Sequence, residues 1–224
     1  DGSVYHLNLH PENIGDTIIT VGDPDRVGEV SKHFDSVDFK TAKREFVTHS
    51  GYIGNKRISV ISTGIGTDNI DIVFNELDAL VNIDFATRTI KEAKTSLDII
   101  RVGTSGSVSA DLQIDNTLIT ETAIGMDGLM HFYEFENSIQ ETVYLEAFAN
   151  HIKPYFKEVA PYIATGSEKL INKFEAYYPK GTTITACGFY APQGRMLRGA
   201  RTFPNFIEAV NTFQHKHFRI TNLE

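Results

Sequence analysis

Thr17-Ile18-Ile19-Thr20-Val21-Gly22-Asp23-Pro24-Asp25-Arg26 runs an apolar strand straight into a turn and the start of a helix. Gly22 lets backbone approach a ligand closely. Asp23 suits a helix N-cap, and Pro24 suits the first helical position. Arg26 then falls in the first turn, where N–H groups without helical partners favour a phosphate. The acidic neighbours argue against a simple charge trap. Two readings stay open from this stretch alone: an ordinary helix start with a surface arginine, or an anion site.

Outward from that stretch, β-rich segments alternate with helical patterns. Strands are expected at 17–21, 57–62, 97–102, 117–121, 182–187 and 218–221. Several are near-continuous apolar runs, as buried strands of an α/β sheet are. The clearest helix is 69–81, where Ile70, Val73, Phe74, Leu77, Leu80 and Val81 recur with helical spacing. Further helices are expected at 27–34, 138–151, 167–177 and 206–215. The pattern predicts an α/β fold, one domain over 1–224, with helices packed on a mostly buried sheet.

Three glycine-rich turns follow strands: the opening one, Ser62-Thr63-Gly64-Ile65-Gly66-Thr67, and Arg101-Val102-Gly103-Thr104-Ser105-Gly106-Ser107. Ligands of open α/β sheets collect at the carboxyl ends of strands, where these turns lie. None is a dinucleotide fingerprint or a Walker loop. Any single one is explained by the needs of a tight turn. Three together, two flanked by arginine, favour a ligand.

Composition narrows the classes. The 224 residues suffice for a substantial core, and the net charge of -8 argues against a nucleic-acid surface. A few converging arginines still reverse the local field for a small anion. The sequence has no run apolar and long enough to cross a bilayer and no signal-peptide pattern. The single cysteine, Cys187, excludes an internal disulfide framework and fits a reducing compartment, so a cytoplasmic location is expected. Cys187 is read as a small buried strand residue. The scattered histidines show no zinc spacing.

Taken together, the residues resemble the nucleoside phosphorylase family, and within it the uridine phosphorylases. The matching pieces are His6-Leu7-Asn8-Leu9, Gly22-Asp23-Pro24-Asp25-Arg26-Val27, Arg44-Glu45-Phe46, Ser62-Thr63-Gly64-Ile65-Gly66 and Arg101-Val102-Gly103-Thr104-Ser105-Gly106. Phe189-Tyr190-Ala191-Pro192-Gln193-Gly194-Arg195 and Asn222-Leu223-Glu224 complete them, in order along nearly the whole chain. The resemblance implies a mixed central sheet, partly barrel-like, flanked by helices. It implies exchange of a nucleoside base for phosphate, giving free base and ribose 1-phosphate, with no cofactor beyond inorganic phosphate as co-substrate.

The resemblance also implies roles. Gly22, Arg26, Arg101 and Thr104 hold phosphate, and Arg44 joins from a neighbouring subunit. Arginine forks suit phosphate oxygens. Holding the nucleophile against the anomeric carbon is worth up to about 7–11 kcal/mol. Gly106, Phe189, Gln193 and Arg195 take the base. Gln193 both donates and accepts, as a uracil edge requires, and Arg195 donates to a carbonyl on which charge develops. Arg26, Arg101 and Arg195 form the catalytic set. His6 and Glu224 contact ribose, His6 reaching the 5′-hydroxyl in a neighbouring subunit's site. The partners implied are nucleoside and phosphate, with a homodimer or hexamer sharing sites. A monovalent cation at Glu45, Ile65 and Asn69 is a weaker implication, because Asn69 stands where a serine is expected. His131 is read as structural.

Two departures qualify the resemblance. The family pattern continues past Glu224 with Met, a second glutamate, a strand and a helix, so the chain is expected to lack that C-terminal strand and helix. The polar segment 82–96 is expected to be a surface elaboration. The alternatives are a purine nucleoside phosphorylase, a hydrolytic nucleosidase, against which Arg26, Arg44 and Arg101 count, and a non-catalytic nucleoside-binding relative.

Overall fold

The computed structural model describes residues 2–156 and 158–224. Chain proximity divides it into two compact units, Asp1–Gly103 and Thr104–Glu224, each with its own five-stranded sheet and core.

The first unit contains β1 (Thr17–Val21), α1 (Asp25–Ser31), β2 (Ser36–Lys43), β3 (Phe46–Ile53), β4 (Lys56–Ser62), α2 (Thr67–Asn82), β5 (Ile83–Asp84), β6 (Thr89–Ile90) and β7 (Asp98–Arg101). Its sheet runs β2-β3-β4-β1-β7. β1 lies parallel to both β4 and β7, whereas β2, β3 and β4 form an antiparallel meander. The opening strand therefore sits inside the sheet, which explains its apolar run. β2 is an edge strand, mostly exposed and polar, and sequence periodicity does not reveal it.

α2 supplies the lid of this core. Val73, Leu77 and Leu80 are fully buried against Leu7, Leu9, Ile18, Phe46 and Ile61. Each such side chain contributes about 1.5–3 kcal/mol on leaving water. Phe74, expected on the same face, is instead 38% exposed. Within 82–96, β5 and β6 pair as a short antiparallel hairpin whose β6 strand is exposed.

The second unit contains β8 (Gly106–Ser107), β9 (Ile119–Gly125), α3 (Ile139–Ile152), β10 (Tyr162–Thr165), α4 (Glu168–Phe174), β11 (Lys180–Thr185), α5 (Phe206–Thr212), β12 (Gln214–His215), β13 (Phe218–Arg219) and β14 (Asn222–Leu223). Its sheet runs β10-β9-β11-β14-β8, with β9, β11 and β14 parallel and the two edge strands antiparallel. Ile124, Phe148, Ile163, Ile184, Phe206 and Leu223 lie at its core. α3 begins with a reciprocal cap: Glu141 N–H donates to Ser138 Oγ at 3.2 Å, and Ser138 N–H donates to Glu141 Oε2 at 2.8 Å.

Across β9 and β10, Tyr162 faces Gly125. Its hydroxyl donates to Asp127 Oδ1 and Oδ2 at 3.0 and 2.9 Å. Burial first, and then the Asp127 carboxylate, pushes the phenol well above its ordinary range.

The expected α/β architecture with mixed sheets is present, as two open sheets. Two local expectations are corrected. β11 ends at Thr185, so Cys187 lies beyond the strand and is exposed, not buried. α5 ends at Thr212, because 214–219 closes as the β12-β13 hairpin with Lys216 at φ 56°.

Candidate active site

In the first unit, parallel pairing sets three of the five phosphate candidates, Gly22, Arg26 and Arg101, at one end of one sheet. Val21 pairs with Ser62 and Thr20 with Arg101, so the turns after β4, β1 and β7 leave side by side. The turns touch: Thr63 N–H donates to the Val21 carbonyl at 2.8 Å, and a Cβ on Gly22 would lie 3.7 Å from the Gly64 carbonyl. Asp23 Oδ1 accepts the Asp25 N–H at 3.0 Å, and Pro24 already has helical angles. The helix begins one residue later than expected, with Pro24 rather than Asp23 at its N-cap, and Asp23 instead closes an Asx turn onto Asp25. Arg26 thus stands in the first turn of α1, half-buried. Arg101, at the end of β7, is exposed, and its guanidinium lies over Gly103.

The two-residue turn between β2 and β3, Arg44-Glu45, lies at the same end. Ser62 Oγ donates to the Glu45 carbonyl at 2.6 Å and accepts the Val47 N–H at 2.7 Å. Arg44 has φ 56°, a backbone region in which a bulky residue is strained by about 1–3 kcal/mol. Its guanidinium carbon lies 5.8 Å from the centre of the Tyr5 ring, and the Lys43 ammonium lies 4.6 Å from the same ring.

The residues named for a cation also converge. Asn69 Nδ2 donates to Glu45 Oε1 at 3.0 Å and to the Ile65 carbonyl at 3.3 Å. The asparagine amide therefore occupies both acceptors itself. The Glu45 N–H, followed by the Asn69 amide, holds the Glu45 carboxyl below its ordinary range. His6, the ribose candidate of this unit, is tied to α2: its N–H and the Leu7 N–H both donate to the Glu76 carboxylate, and its Nδ1 lies 2.6 Å from Glu76 Oε1.

In the second unit, a cavity of about 430 Å³ is lined by Gly106, Ser107, Gln193, Arg195, Ile207 and Leu223, among others. It joins three of the four base candidates. β8 pairs with β14, which sets Gly106 opposite Leu223. A Cβ on Gly106 would lie 3.5 Å from the Arg195 guanidinium, an ordinary contact distance that puts the two residues side by side. Arg195 Nη1 donates to the Phe189 carbonyl at 3.0 Å and to Gln193 Oε1. Its guanidinium carbon stacks 4.1 Å from the Phe189 ring centre. Phe189 thus adjoins the cavity through Arg195, which stacks on its ring, while the residue stays 59% exposed. Gln193 is buried, and its side-chain oxygen is engaged by Arg195. Gly194, at φ 71°, closes the short helical turn Ala191–Gln193.

Asn222 ties this unit's loops together and was not read as a site residue from sequence. Its Oδ1 accepts from Thr183 and Thr221 hydroxyls at 3.0 and 2.9 Å, and its Nδ2 donates to Ser105 Oγ at 2.8 Å. It therefore anchors the 104–106 loop, which carries Thr104, to β14. Glu224 continues the pairing next to β11, its N–H donating to the Ile184 carbonyl at 2.9 Å. His131 Nε2 is hydrogen-bonded to the Ala160 carbonyl at 2.8 Å, in keeping with a structural role.

Residues 16–211 match the phosphorylase superfamily. A uridine phosphorylase of Haemophilus influenzae is 35% identical over 132 residues, 58% of this chain and 47% of that protein. One of Thermococcus kodakarensis is 28% identical over the whole chain and 69% of its own length. The chain thus spans about half the length of the former relative. A Trypanosoma brucei nucleoside phosphorylase, described as showing uridine phosphorylase activity, superposes with a TM-score of 0.89 at 28% identity, over all of this chain and 81% of that one.

Proposed function

This chain belongs to the phosphorylase superfamily, and from that premise we propose that it cleaves a pyrimidine nucleoside, uridine by preference, with inorganic phosphate. The products are uracil and ribose 1-phosphate. The observation that carries the reading is the row of parallel strand ends, which sets Gly22, Arg26 and Arg101 at one end of one sheet. Such a set of arginines suits a phosphate dianion and is superfluous for water.

A phosphate oxygen attacks the anomeric carbon as the bond to the base nitrogen breaks, and the electron pair leaves with the base. Arg26, Arg101 and Thr104 orient the phosphate, whose charge also stabilises the cationic ribose. Arg195 donates to the uracil carbonyl that gains charge, and the Gln193 amide reads the same edge. The departing anion takes a proton to become uracil. His6 and Glu224 hold ribose. Donation of Arg44 and His6 to a neighbouring subunit makes a homodimer or hexamer with shared sites the working form, in the cytoplasm.

The test is incubation with uridine, thymidine and inosine, with and without phosphate. Uracil release that depends on phosphate is expected. Equal release without phosphate overturns the reading in favour of hydrolysis. Preferential cleavage of inosine overturns the base assignment.

A further inference from the structure

The carboxylate of Glu76 sits under the N-terminal segment and accepts from three of its donors. The His6 N–H lies 2.9 and 3.0 Å from its two oxygens, the Leu7 N–H lies 2.8 Å from Oε2, and His6 Nδ1 lies 2.6 Å from Oε1. The pair is mostly shielded, with side-chain exposures of 28% for His6 and 15% for Glu76. An ionised carboxylate only accepts, so the ring proton must reside on Nδ1. The Tyr5 and Phe46 rings meet the imidazole edge to face, at 4.8 and 6.5 Å between centres, and limit its rotation.

From this contact we propose that Glu76 is a positioning residue that fixes the His6 tautomer. With the proton held on Nδ1, Nε2 presents a lone pair and accepts a hydrogen bond from a nucleoside hydroxyl. A carboxylate that fixes a working imidazole in this way is a recurrent arrangement. The hydroxyl-accepting part rests on the uridine-cleaving reading, whereas the tautomer does not.

Glu76→Gln separates anchoring from tautomer control. The glutamine oxygen can still accept the His6 and Leu7 N–H groups in the place of Oε2. Its amide nitrogen, in the place of Oε1, then donates to Nδ1 and drives the ring proton to Nε2. The protein is labelled with ¹⁵N-histidine, and long-range proton–nitrogen correlations are recorded at pH 8.5, with His6→Asn identifying the His6 signals. The expected result is a proton on Nδ1 in the wild type and on Nε2 in Glu76→Gln. A wild-type ring protonated on Nε2, or on both nitrogens, overturns the proposal, as does an unchanged pattern in the variant. In kinetics, the preference in kcat/KM for uridine over 5′-deoxyuridine is expected to fall roughly five- to tenfold in Glu76→Gln, the worth of one hydrogen bond. An unchanged preference alongside a switched tautomer overturns the hydroxyl-accepting role. A wild-type protein that leaves uridine intact counts against the activity reading alone, because the ring proton is read without substrate.

Discussion

Replacing Gly64 with alanine should destabilise the turn after β4 through two separable effects. Gly64 has φ 71°, so any side chain there carries a left-handed backbone cost of about 1 kcal/mol. An added methyl carbon would also lie 2.6 Å from Asn69 Nδ2 and 2.8 Å from Glu45 Cγ. Asn69 is held by Glu45 and Ile65, so it cannot retreat without giving up those bonds. Overpacking of this kind costs about 1–3 kcal/mol. The sum is about 2–4 kcal/mol, a fall in Tm of roughly 4–16 °C for a chain of this size. Gly54 provides the control, because it has φ 60° and nothing within 4 Å of an added methyl carbon. Gly54→Ala should show the backbone cost alone, about 1 kcal/mol or roughly 2–4 °C. Differential scanning calorimetry of the two variants isolates the steric part. Equal losses in both would refute the claim that Asn69 and Glu45 wall in the turn. The same turn lies beside Gly22, so Gly64→Ala should also weaken phosphate binding, and Gly54→Ala should not.

Arg101→Ala is expected to lower kcat/KM for uridine by about 10²–10³-fold while Tm stays nearly unchanged, since the side chain is exposed; near-normal turnover would remove the phosphate assignment. Ser138→Ala removes one half of the α3 cap and should cost about 1 kcal/mol, read as a Tm fall of roughly 2–4 °C. The raised phenol of Tyr162 gives stability that is complete below the unfolded tyrosine value of about 10 and declines as pH rises beyond it. In denaturant melts from pH 9 to 11.5, Tyr162→Phe should therefore flatten the alkaline decline, and an identical slope would contradict the assignment.

The strands visible in the sequence were those that read as apolar runs, not all those inside the sheet: β7 lies at an edge and was expected, whereas β3 lies inside and was not. β1, β4 and β7 lie together at the parallel side of their sheet and read as apolar runs, and α2 showed its face through Val73, Leu77 and Leu80. β2 escaped because it is an edge strand with an exposed, polar sequence. β9 was placed at 117–121 and runs from Ile119 to Gly125, because its threonines and alanine blur the alternation. Candidate site residues could be named in glycine-marked turns, since a turn and a ligand make the same demand on the backbone. Glu76 and Asn222 could not. Their roles arise from hydrogen bonds to His6 and Ser105, across 70 and 117 residues of sequence, and no local pattern encodes such partners.

The backbone at Arg44 has a consequence for anyone engineering this protein for heat resistance. A routine survey would mark the non-glycine residues at positive φ, here Asn8, Arg44, Arg88, Asp115 and Lys216 among the described residues, as candidates for glycine. Four of these are ordinary proposals. At Arg44 the same rule would relax the hairpin and delete the cation proposed for a neighbouring subunit's site. On the phosphate role proposed for Arg44, a library scored on melting temperature alone would enrich for hardy, sluggish variants at this codon, and one scored on turnover would restore the strained arginine.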